Sequence, residues 1–159
     1  MPDGFQTSVT STGPAAGAPG MEYDCGFNDV VTKRAISAIP FGRYVVFTAE
    51  GDCKLPASLA EITANDGGVA LIDPSKPSTV GYLATDPVRV LRSGRVWIET
   101  DQTVAQSNPA FVRGVGGNEG KFRADADTAN AVAAPNTQFY IGVTGAGLAV
   151  VTVNQPKGT

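Results

Sequence analysis

From about Arg43 onward, short apolar runs alternate with turns rich in Gly, Pro, Asn and Asp. The run Arg43-Tyr44-Val45-Val46-Phe47-Thr48 is aromatic and β-branched and reads as a strand. Asn65-Asp66-Gly67-Gly68 is a turn signal before Val69-Ala70-Leu71-Ile72. The loop Asp73-Pro74-Ser75-Lys76-Pro77 precedes a predicted strand from Thr79 to Ala84. Further strands are predicted over Ala110–Arg113, Lys121–Ala124, Gln138–Val143 and Gly147–Val153. Strands spaced about ten residues apart indicate a sandwich or barrel. The expectation is an all-β domain over about residues 40–153, a small β-barrel or jelly-roll-like sandwich. Residues 21–40 fit a short helix or an irregular strand equally well.

The densest pattern is Val88-Arg89-Val90-Leu91-Arg92, then Ser93-Gly94, then Arg95-Val96-Trp97-Ile98-Glu99. A two-residue turn ending in Gly predicts a hairpin. Its register sets Arg92 opposite Arg95 and Leu91 opposite Val96. One face then carries Leu91, Val96 and Ile98, and the other Val88, Val90 and Trp97. Both faces are apolar, so the second is expected to meet something other than water. Arg92 and Arg95 at the hairpin tip either splay into water or contact a partner, and Trp97 is either a core residue or an interface anchor; these three are the candidate contact residues.

Residues 1–20 contain three prolines, four glycines and one charge, Asp3. Such a segment buries too little to offset its ordering entropy. It is expected to be a flexible terminus, or an arm that orders on a neighbour with Phe5 and Val9 as anchors. Residues 21–159 are expected to form a single β domain.

Composition narrows the chemistry. The 159 residues are enough for one domain with a sizeable core. There is no histidine, and only 17% of residues are charged. A net charge of −3 argues against nucleic-acid binding. The opening residues lack a signal peptide's basic start and apolar core, and no apolar run is long enough for a membrane helix. The chain is therefore expected to be made in a cytoplasm, with Cys25 and Cys53 as free thiols.

No motif supplies a reactive site. Gly116-Gly117-Asn118-Glu119-Gly120-Lys121 fails as a phosphate loop, because Val115 stands where Gly is needed and Phe122 follows the lysine. It reads as a glycine hairpin loop. Asp125 and Asp127 have calcium-loop spacing, but Ala129 occupies the next ligand position, so a solvated turn is expected. No catalytic residue, cofactor or metal is assigned, and the chain is expected not to be an enzyme.

Four runs carry a resemblance. They are Ile39-Pro40-Phe41-Gly42-Arg43, Val90 through Ile98, Gly120-Lys121-Phe122-Arg123-Ala124-Asp125, and Gly145 through Val151. In this order they resemble the structural cement, or capsid decoration, proteins of tailed bacteriophages over roughly residues 25–153. The resemblance implies a homo-oligomer, dimer or trimer, on the outer capsid surface of the virion. It would bind and bridge the major capsid protein and stabilise the DNA-filled shell, with no direct contact to nucleic acid or membrane. The alternatives from other classes are a carbohydrate-binding or host-adhesion β module, and a small carboxylate hydrolase.

Overall fold

A computed structural model describes residues 17–48 and 51–155. The elements are β1 (Asp29–Ala35), β2 (Tyr44–Phe47), β3 (Asp52–Lys54), α1 (Leu59–Ala64), β4 (Gly67–Ala70) and β5 (Pro87–Thr100). They are followed by β6 (Pro109–Arg113), β7 (Phe122–Arg123), β8 (Ala131–Ile141) and β9 (Gly147–Asn154). The fold is all-β, as the alternation predicts. The strands close into two circuits that share β5. The first runs β1-β3-β2-β4-β5 and returns to β1; the second runs β5-β7-β6-β8-β9 and returns to β5. Closure removes the open edges on which sheets aggregate.

Each circuit has its own apolar interior. Ala35, Cys53, Val45, Ala70, Val88 and Val90 come from the five strands of the first circuit, and Ile39, Phe41 and Tyr82 pack with them. The second cluster joins Val96, Ile98, Phe122, Val112, Phe139 and Val151. It also takes Tyr44, Val46 and Val69 from the opposite face of β2 and β4, so the two circuits are packed against one another.

The hairpin expected at Ser93-Gly94 is not formed. β5 runs straight through, with its first half on β1 and β4 and its second half on β9, where Val96 pairs Val151. Arg92 therefore does not face Arg95, and neither lies at a tip. The Ser93-Gly94 signal marks a bulge instead. Val30 pairs Leu91 while Asp29 pairs Ser93, which leaves Arg92 as an extra residue. Gly94 has φ of 140°, where a side chain is strained. An extra residue inverts the in/out alternation. Val88 and Val90 enter the first core, while Leu91, Val96 and Ile98 enter the second. The expected separation of Val88 and Val90 from Leu91, Val96 and Ile98 is thus observed, produced by a bulge, but Trp97 is not with Val88 and Val90 and lies under the segment that holds Gly17, Gly20 and Met21. Val88 and Val90 are covered by Ile39, Phe41 and Tyr82 of the same chain.

Other differences are local. Within the ambiguous stretch 21–40, Asp29–Ala35 form strand β1. The strand expected over Thr79–Ala84 is a turn, with the amides of Val80 and Gly81 both donating to Pro77, and only Tyr82 bridging to Ile39. Helix α1 was not expected. Its start is signalled by Ser58 and Glu61, since the Ser58 hydroxyl accepts from the Glu61 amide and Glu61 accepts from the Ala57 amide. Cys25 is exposed, Cys53 is buried, and both are free thiols.

Candidate functional site

The second half of β5 carries a short strap. Glu22 bridges Val96, the Gly20 amide donates to Trp97, the Trp97 amide to Met21, and the Tyr23 amide to Arg95. Within the segment expected to be an arm, Gly20 is thus buried and bonded to the body. Gly17 lies flat on the Trp97 indole, where a β-carbon would collide with the ring. Phe5 and Val9 lie outside the described residues.

Under the strap is an aromatic and ionic platform. The Tyr23 ring meets those of Trp97 and Tyr140 edge-on, with centroids 5.6 Å apart in each pair. The Arg95 guanidinium lies 4.0 Å over the Tyr140 ring and reaches Asp24 at 2.8 Å. Beyond it the loop from Asp24 to Asn28 projects Phe27, which is 95% exposed. Met21 and Tyr23 of the same segment are also exposed. Burying Phe27 on a partner would recover about 2 kcal/mol of apolar transfer.

Of the sequence-predicted contact residues, Arg95 and Trp97 share this platform and Arg92 does not. The Arg92 side chain is 12% exposed, lies 3.8 Å from Asp66 and stacks over Phe47. The bulge sends it to the other side of β5. Phe27 was not singled out in the sequence. A lone Phe beside Gly26 and Asn28 has no period to report its exposure.

The far end of the second circuit is ionic. Arg113 reaches Asp127 at 2.6 Å, and Arg123 reaches Asp101 at 3.2 Å and Asp125 at 3.1 Å. Asp125 and Asp127 are therefore ion-paired, not a merely solvated turn. The network holds Asp127, Thr128 and Ala129, three successive residues with positive φ. Gly116–Lys121 forms the β6–β7 hairpin loop, as its glycines predict.

The chemistry of these groups is structural. Burial, followed by the Asp52 charge, pushes the Cys53 thiol up to about 11, so it stays protonated. Lys76 and the Leu83 amide hold Asp86 below its ordinary value. Lys54 and the Ala57 amide do the same for Glu61. Among the described residues, no group of three or more metal-ligating side chains is found.

Comparison with known proteins gives a consistent picture. The family model described as structural cement protein (E217 gp24/Pam3 gp6) matches residues 5–154. A chain from the solved capsid of Myoviridae phage XM1 has the same fold, with a TM-score of 0.69 and 20% identity. That likeness covers 94% of this chain and 97% of the other. Comparison with curated protein sequences finds no match.

Proposed function

This chain belongs to the phage structural cement family, and from that premise we propose that it decorates the outer surface of a phage head, bridging neighbouring major capsid subunits as a homo-oligomer. Membership makes it a capsid-associated structural protein of the virion. The observation that carries the finer reading is the family match over nearly the whole chain, strap included. The platform supports it. Phe27 is the protruding anchor, while Arg95 and Trp97 hold the strap that carries it. Residues 21–29 contain three acids, Glu22, Asp24 and Asp29, and no base. Arg95 already pairs Asp24, so Glu22 and Asp29 are the acids that a basic patch of the shell would complement. Many copies, each touching two or more subunits, make modest contacts add to tight retention.

Heating heads with and without the protein tests this. Decorated heads are expected to retain their DNA at temperatures where bare heads release it. Equal release, with no protein bound to bare heads, overturns the reading.

A further inference from the structure

The large exposed apolar residues among those described fall into two trios. Met21, Tyr23 and Phe27 belong to the strap. Ile36, Val80 and Leu83 are 46%, 46% and 55% exposed and lie at the opposite end of β1. Two loops carry this second trio, and hydrogen bonds lace them together. Ile39 and Tyr82 exchange both backbone bonds, the Thr85 amide donates to Ala35, and the Ala35 amide donates to Asp86. The loops hold no charge at all: residues 35–42 and 77–85 lack Asp, Glu, Lys and Arg. Of the charges that flank them in sequence, Arg34, Lys76 and Asp86 are ion-paired, and Arg43 donates to the Asn118 and Glu119 carbonyls. Lys76 meets Asp86 at 2.7 Å, and Arg34 meets Asp52 at 2.9 Å. A charge-free apolar centre inside an ion-paired rim is the anatomy of a protein interface.

Building on the oligomeric reading above, we propose that this charge-free end is where a second copy of the chain docks, across a two-fold axis through the Ile36, Val80 and Leu83 surface. Charge identifies the occupant. A two-fold contact sets residues near the axis against their own copies, so any charge there meets its like. The strap trio fails that condition, because Arg95 pairs Asp24 while Glu22 and Asp29 of the same segment would each meet their like. The Ile36 trio meets it. The loops are also rigid enough to present a fixed surface, because buried Tyr82 anchors one of them by donating its hydroxyl to Leu71.

The test uses purified full-length chain without heads, so it is independent of capsid binding. Sedimentation velocity is expected to show a concentration-dependent oligomer. The double variant Val80→Lys, Leu83→Lys should weaken self-association by at least about tenfold. Its thermal unfolding should match that of wild type at concentrations where both are monomeric, since both sites are exposed. Phe27→Ala should leave the oligomer intact. Mixing a Leu83→Lys chain with a Leu83→Asp chain should give a mixed oligomer that neither forms as well alone. The proposal is overturned if wild type stays monomeric at every concentration, or if the lysine variant keeps the wild-type mass.

Discussion

The two circuits solve the same packing problem and finish their ends differently. The first plugs its interior with Ile39, Phe41 and Tyr82 and ends in charge-free loops. The second encloses Phe122 and Phe139 and ends in a network of Arg113, Arg123, Asp101, Asp125 and Asp127. Both interiors are apolar and both draw on β5. The difference lies in which end has its polar groups satisfied within the chain and which presents uncommitted apolar surface. Core composition says little about where such a protein binds; the finish of each end says more.

The largest effects should come from breaking either core. Phe139→Ala in the second circuit and Tyr82→Ala in the first should each cost about 4 kcal/mol. Because β5 belongs to both circuits, each variant should still unfold in one transition, read by circular dichroism in denaturant. Two separate transitions would show that the circuits are independent. Next in size is the ionic end. Arg113→Ala leaves Asp127, in the positive-φ run, with only its 3.4 Å contact to Arg123. A loss of about 2 kcal/mol is expected in the same experiment. An Arg34→Ala change at the first circuit, where the guanidinium is 62% exposed and screened by solvent, should leave the unfolding midpoint almost unchanged.

The strap gives a smaller effect with a sharper readout. Gly17→Val should push the strap off the indole and cost about 1 kcal/mol. Trp97 is the only tryptophan, so its emission should shift to the red; unchanged emission would remove the strap from the account. The smallest effect is in acid. Asp86 has a folded pKa below its unfolded one, because of Lys76 and the Leu83 amide. Its stabilising contribution is therefore present above the unfolded value of about 3.9 and lost as pH falls through the folded one. Melting temperature followed downward from about pH 5 should fall less for Asp86→Asn than for wild type.

Much of the fold was legible in the sequence, because alternation and turn residues act locally. The strands around Tyr44, Phe111, Phe122 and Val150 follow from that pattern. Ser93-Gly94 was misread because the same dipeptide suits a two-residue turn and a bulge. Only long-range pairing with β1 and β9 decides between them. The roles of Arg92 and Arg95 hang on that decision, since one extra residue sends them to different surroundings. Helix α1 was legible in Ser58 and Glu61, but its six residues are outweighed by the strands around them. The exposure of Phe27 was not legible, because no neighbour in sequence reports the loop that lifts it. The absence of charge from 35–42 and 77–85 was visible, yet it gains meaning only when hydrogen bonds bring the two stretches together.

The most direct measurement is co-sedimentation of the purified chain with bare heads, comparing wild type, Phe27→Ala and the Val80→Lys, Leu83→Lys variant. Wild type is expected to pellet with the heads and saturate. Phe27→Ala should remain largely in the supernatant despite an intact oligomer. The lysine variant should bind with lower retention, having lost only its multivalency. Wild type that stays in the supernatant at saturating heads, or Phe27→Ala binding as tightly as wild type, would contradict the account.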